Sequence, residues 1–266
     1  WHGGGSRAPV HHSVLVGDGS GTFTILNPHT QGSGGNQGTW QQMVFATGPT
    51  EDDMQDAVEL NGILYIAAGE QVERFDLNRN RWLLPLKGDM NPYASDVLCI
   101  TTDGSDLFIG TSTAGIIQIT LNGTVVQSQN AAQWQTSDGL SANEVTDIAY
   151  EPGTGQIVSI HPSSGISVVN PLSGIITQTW TTFNGLSSNN MNALTVRGGI
   201  AYAGTSNQGI ERIDITNVTR LTPWTSTGMD DVDSMPIATD GTMLYLGVYG
   251  YGVIVYNLSS GEQTDL

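Results

Sequence analysis

Ala201-Tyr202-Ala203-Gly204, followed after a short turn by Gly209-Ile210-Glu211-Arg212-Ile213-Asp214, is the stretch that decides the fold. The first run is apolar and ends on a small residue. The second alternates apolar and polar positions, as a half-buried strand requires, and closes on an Asp whose side chain suits a turn. The pair reads as a β-hairpin, and it recurs. The first run returns as Val14-Leu15-Val16-Gly17, Leu64-Tyr65-Ile66-Ala67-Ala68, Leu107-Phe108-Ile109-Gly110, Gln156-Ile157-Val158-Ser159 and Leu244-Tyr245-Leu246-Gly247. The closing small residues lie 51, 42, 49, 45 and 43 positions apart. Four strands need about 40–50 residues, the period of a propeller blade.

Working outward, a run opening strand C follows each copy, among them Gln71 to Asp76, Gly115 to Thr120, Gly165 to Asn170 and Gly252 to Asn257. One tryptophan marks each repeat: Trp40, Trp82, Trp134, Trp180 and Trp224, with Trp1 the sixth. These six are expected at equivalent positions in the outer strands, packed between blades. In the fourth copy, strand A reads Val145 to Tyr150, B Gln156 to Ile160, C Gly165 to Asn170 and D Ile175 to Trp180. Helical periodicity is absent. A four-stranded sheet has two faces to bury, and neighbouring blades on both sides cover them.

The reading is therefore all-β: a single propeller domain over residues 1–266, built of four-stranded antiparallel blades, six of them. The alternative is a fragment of a seven- or eight-bladed ring. The last repeat has only Gln263 to Leu266 beyond strand C, so Trp1 is expected to supply its outer strand and close the ring, while strand A of the first blade is short or absent. Gln31 to Gly38 is a low-complexity insertion between strands C and D. The chain as it stands opens without a basic-then-apolar leader, and Trp1 is expected to be the first residue of a processed or trimmed product.

Composition narrows the partners. Twenty-five acidic residues against 8 Lys and Arg give a net charge of −17, which repels nucleic acid and anionic membranes and attracts cations or basic partners. No run approaches the ~18 apolar residues of a membrane span, so neither nucleic-acid binding nor membrane insertion is expected. Charged residues make up only 12% of the chain, and polar uncharged residues cover the outward faces, as in extracellular β proteins. Cys99, the single cysteine, sits in an apolar strand and reads as a buried, inert thiol.

Two connections between blades share a phrase: Thr136 to Val145, containing Gly139-Leu140-Ser141-Ala142-Asn143, and Thr182 to Met191, containing Gly185-Leu186-Ser187-Ser188-Asn189. With Ile109-Gly110-Thr111 before Gly115-Ile116, and Ala203-Gly204-Thr205 before Gly209-Ile210, the pattern resembles the repeat of the two-component-regulator propellers. The resemblance implies a secreted, extracellular or periplasmic sensing module, often tied to carbohydrate recognition.

Catalytic chemistry finds little footing. His11 and His12 are adjacent, so on a strand their rings face opposite ways. His161 precedes Pro162 and reads as a solvated turn residue. No G-x-S-x-G, H-E-x-x-H or C-x-x-C occurs. Glu51-Asp52-Asp53 and Asp230-Asp231 are the densest acidic runs, and a glycosidase needs two carboxylates roughly 5–10 Å apart. Two classes of function stay open: a non-catalytic module binding a glycan, peptide or partner protein, and a propeller-fold polysaccharide lyase or glycoside hydrolase. No catalytic residue is assigned. The candidate site is a ring at the mouth of the central channel, where strand A begins in successive repeats: Asp56, Asp96, Glu144, Asn190 and Asp233. Its carboxylates, Asp56, Asp96, Glu144 and Asp233, repel one another unless a cation or basic ligand neutralises them, and oxygen-only donors suit Ca²⁺.

Overall fold

A computed structural model describes residues 49–86, 95–206, 208–225, 237–248 and 252–265, together with the backbone of three strands within residues 14–44. The chain folds into successive antiparallel sheets, each made from consecutive strands. The first holds β1 (Val14–Gly17), β2 (Thr22–Asn27) and β3 (Thr39–Val44). The second holds β4 (Met54–Leu60), β5 (Ile63–Ala68), β6 (Gln71–Asp76) and β7 (Arg81–Leu86). The third holds β8 (Val97–Thr102), β9 (Leu107–Thr111), β10 (Ile116–Asn122) and β11 (Val125–Trp134). The fourth holds β12 (Asp147–Glu151), β13 (Gln156–His161), β14 (Gly165–Asn170) and β15 (Ile175–Trp180). The fifth holds β16 (Met191–Arg197), β17 (Ile200–Thr205), β18 (Ile210–Asp214) and β19 (Thr219–Trp224). The sixth holds β20 (Ile237–Thr239), β21 (Met243–Val248), β22 (Gly252–Asn257) and β23 (Gln263–Asp265).

This is an all-β propeller arrangement of five four-stranded blades among the described residues, where the repeat count predicts six. The first repeat contributes a three-stranded sheet of strands B, C and D. A second expectation also changes: the sixth sheet takes its outer strand from Gln263–Asp265, paired to β22, and Trp1 lies outside the described residues. The insertion at 31–38 lies outside them too.

Strand B is the buried centre of the second to fifth sheets, and every residue of β5 and of β9 is buried. The alternation feeds two interfaces. Ile63, Tyr65 and Ala67 of β5 join Val97, Leu107 and Ile109 of the third blade in one apolar cluster, while Leu64 and Ile66 turn the other way. Strands A neighbour one another in sequence, β4 beside β8, β8 beside β12, β12 beside β16 and β16 beside β20. They form the inner wall, and strands D lie outermost.

The repeat's glycines and tryptophans lock together. Gly115, Gly165 and Gly209 have φ of 78°, 84° and 76°, and a Cβ at any of them would run into the carbonyl oxygen of Trp134, Trp180 or Trp224 respectively. Only glycine meets both demands. Those three tryptophans are equivalent, opposite Ile116, Ile166 and Ile210 at the end of strand D. Trp134 packs between the third and fourth blades and donates from Nε1 to the Gly174 carbonyl at 3.0 Å. Trp224 stacks on Tyr256 of the next blade at 5.0 Å. Equivalence of all six does not hold. Trp40 and Trp82 stand opposite Leu26 and Phe75, near the beginning of strand D, and Leu86 takes the usual tryptophan place in the second blade.

Candidate functional site

Strand A is the inner edge of its sheet, so alternate N–H groups point away from strand B and need another acceptor. Two aspartates supply it. On β4, Asp56 Oδ2 accepts from Ile100 N of the next blade at 2.8 Å, and Oδ1 from Ala57 N at 2.7 Å. On β12, Asp147 Oδ2 accepts from Leu194 N of the next blade at 2.7 Å, and Oδ1 from Ile148 N at 2.8 Å. The two occupy one rung of the repeat. Asp56, Cys99, Asp147 and Ala193 pair with Ala67, Gly110, Ile160 and Gly204 in consecutive blades.

Both aspartates keep part of their surface open, yet protein surrounds them closely on the inner wall. Burial pushes Asp56 up to about 6, against the two backbone N–H donors that hold it down. Burial, then repulsion from Asp56, pushes Asp147 up to about 8. Cys99 between them is raised by burial and by both carboxylates, and its thiol donates to the Val145 carbonyl at 3.4 Å. It is the inert thiol the sequence predicts. Each aspartate oxygen already accepts one N–H, which leaves its second lone pair for a proton or a cation.

Of the described members of the predicted ring, Asp56 alone stands on this wall. Asp96 is exposed in the connection before β8, where its backbone exchanges hydrogen bonds with Ser112. Glu144 is exposed, and its carbonyl accepts from His161. Asn190 is exposed and accepts from Ser163 Oγ at 2.9 Å. Asp233 lies outside the described residues. Among the described residues, no three His, Cys, Asp or Glu side chains come together as a metal centre needs. Sequence reasoning missed Asp147. The signal was present: a lone acid in the apolar strand Val145-Thr146-Asp147-Ile148-Ala149.

His161 corrects another expectation. It ends β13 fully buried rather than solvated. A carbonyl can only accept, so Nδ1 carries the proton to Glu144 O at 2.9 Å, and Nε2 accepts from Ser159 Oγ at 3.1 Å. Burial holds the imidazole down at about 4. Neither member of this Ser–His pair has surface that a substrate could reach.

The D-to-A and B-to-C connections emerge at one end of every antiparallel blade and build one face. Their shared phrase is the scaffold of that face. Leu140 and Leu186 are buried between blades, and Ser141 N donates to Ser167 Oγ at 3.1 Å. Ser187 N donates to the buried Glu211 carboxylate at 2.6 Å, which Arg220 also grips. Glu73 does the same work in the second blade, accepting from Thr50 N and Glu51 N. Asn143 and Asn189 cap Thr136 N and Thr182 N with their side chains, while their carbonyls accept from Gly115 N and Gly165 N. Phe183, on the short 3₁₀ turn Thr182–Asn184, is held out at 99% exposure.

The architecture has counterparts among solved structures. An extracellular domain of a B. thetaiotaomicron protein, described in its two structures as a one-component and a hybrid two-component system, superimposes with TM-scores of 0.66 and 0.64 at 14% and 13% identity. The extracellular domain of a second hybrid two-component system of that organism gives 0.69 at 16%. The likeness is one of fold. Each comparison covers 95% of this chain but only 36%, 36% and 33% of the other, so the chain spans about a third of its neighbours' length. No family model and no curated protein matches it. Among the described residues, no helix is long and apolar enough to cross a membrane.

Proposed function

We propose that this chain is a non-catalytic binding module working outside the cytoplasm, and that the face of D-to-A and B-to-C connections receives its ligand. The make-up of that face carries the reading. Its described connections expose Glu51, Asp52, Asp53, Glu70, Asp96 and Glu144, and they contain no Lys or Arg. Phe183 adds an exposed apolar anchor. Arg79, Arg81 and Arg197 all stand at the opposite end of the blades. Arg220 reaches this face but is paired to Glu211. A face of net negative charge steers and holds positively charged ligands, so among a glycan, a peptide and a partner protein, a Lys- or Arg-bearing peptide or protein surface fits best. The extracellular origin of the structural neighbours supports the location.

The test is binding of Lys/Arg-rich peptides and of neutral and acidic glycans, at 50 and 300 mM salt. The reading expects peptide binding that weakens with salt and falls when Glu51, Asp52 and Asp53 are all made amides. Depolymerisation of a polysaccharide, with no basic ligand bound, would replace the module by the lyase or hydrolase alternative.

A further inference from the structure

The hairpin joining β12 to β13 reads Glu151-Pro152-Gly153-Thr154-Gly155-Gln156, and it is folded around an acid. Glu151 is 3% exposed. Its Oε1 accepts from Gly153 N at 2.9 Å, and a Cβ at Gly153 would sit 2.9 Å from that oxygen, so any other residue there displaces the carboxylate. Gly155, at φ 69°, turns the chain back and donates to the Glu151 carbonyl. The second carboxylate oxygen, Oε2, is buried and meets no donor among the described residues.

Two more oxygens of the same hairpin share that condition, Thr154 Oγ1 and Gln156 Oε1. Glu151 and Gln156 face each other across the ladder, so their side chains leave the sheet on one side, with Cβ atoms about 5 Å apart. The amide of Gln156 is fixed. Thr177 Oγ1 donates to the Val168 carbonyl and can only accept from Gln156 Nε2, at 3.3 Å. The amide oxygen is therefore the end left without a partner. The nearest cationic side chain in sequence, Arg197 on the next blade's strand A, lies against Gly241 of the blade beyond.

A buried carboxylate oxygen without a donor is among the costliest groups a protein can hold, and two neutral acceptors beside it deepen the demand for positive charge. We propose that this hairpin binds a hard, oxygen-seeking cation through Glu151, Thr154 and Gln156. One carboxylate and neutral oxygens make a donor set for Ca²⁺ or Na⁺ and not for soft, nitrogen- or sulfur-seeking metals. The site lies at the opposite end of the blade from the ligand-binding face, and it does not depend on that face's function.

Chelator-treated protein in choline chloride is melted with added CaCl₂ or NaCl, beside Glu151→Gln and Thr154→Val. A ligand bound to the folded state alone raises the melting temperature in proportion to ln(1 + [L]/Kd). The expected result is a rise of several degrees with one of the two salts at up to 10 mM, absent in Glu151→Gln and reduced in Thr154→Val. A response to CaCl₂ alone identifies a divalent site, and a response to NaCl alone a monovalent one. If Glu151→Gln does not fold, Thr154→Val against the unaltered protein decides. No rise with either salt, or an equal rise in the variant, overturns the assignment.

Discussion

Asp147→Asn isolates the axial carboxyl from everything around it. The asparagine keeps one oxygen, enough to accept from Leu194 N and hold the tie between the fourth and fifth blades, while its amide nitrogen gives up the Ile148 N contact and the charge goes. In the folded ring the carboxyl is raised to about 8 from 3.8, so the fold prefers the protonated form. The contribution is therefore complete below pH about 4 and is lost as pH rises through about 8. Each pH unit in that window removes up to about 1.4 kcal/mol, or roughly 3 kcal/mol between pH 5 and 7. That is a large part of a typical folding free energy of about 5–15 kcal/mol. Urea unfolding at pH 5, 7 and 9 measures it. Unaltered protein should lose stability steadily over this range, whereas Asp147→Asn should be nearly flat above pH 6 and the more stable protein at pH 9. Asp56, raised to about 6, leaves its own smaller dependence between pH 4 and 6 in both. Parallel curves for the two proteins would refute the reasoning.

His161 acts in the opposite sense. Its folded value of about 4 lies below the ordinary 6.5, so stability is full above pH 6.5 and falls as pH drops towards 4; His161→Thr, the residue at this place in β9 and β17, should melt with less dependence on acid. Gly165→Ala forces a side chain into the Trp180 carbonyl at φ 84° and should cost about 1–3 kcal/mol in denaturant titration. Trp180→Ala, emptying a site 8% exposed between blades, should cost about 3–5 kcal/mol by the same measure. The Cys99 thiol should react with a thiol reagent only in denaturant, because it is 1% exposed and its ionisation is suppressed.

The period of the chain was legible because strand B is buried on both faces and must be apolar, and because a glycine must open strand C under each late tryptophan. What failed depended on register. Trp40 and Trp82 match the later tryptophans in spacing but sit at the other end of strand D. The strand C to D turn has the same length in the second, fourth and fifth blades, so Trp82 differs by its place within strand D, where Leu86 fills the usual tryptophan position. Of the two inner-wall aspartates, the count from strand B reached Asp56 and not Asp147, for a similar reason. Counting back from strand B locates strand A only when their hairpin has constant length. Asn61-Gly62 closes it in the second blade, whereas Pro152 to Gly155 closes it in the fourth, so Asp147 stands two places further from its strand B partner Ile160 than Asp56 does from Ala67, and the count falls on Glu144 instead. Bulges in β4, β8 and β16 shift the register again. His161 looked like a turn residue because Pro162 follows it; it is buried because it stands where Thr111 and Thr205 bind their own turns. The seryl and glutamyl clamps, Ser167 and Glu211 on strand C, join residues more than twenty positions apart and leave no local pattern.

Hydrogen exchange with and without a bound Lys/Arg-rich peptide tests the central claim most directly. Protection confined to the connections 49–53, 135–146 and 181–190, with loss of the footprint in Phe183→Ala, is the predicted result. Protection on the opposite hairpins, 103–106 and 152–155, or along the outer strands with the connections unchanged, would contradict it.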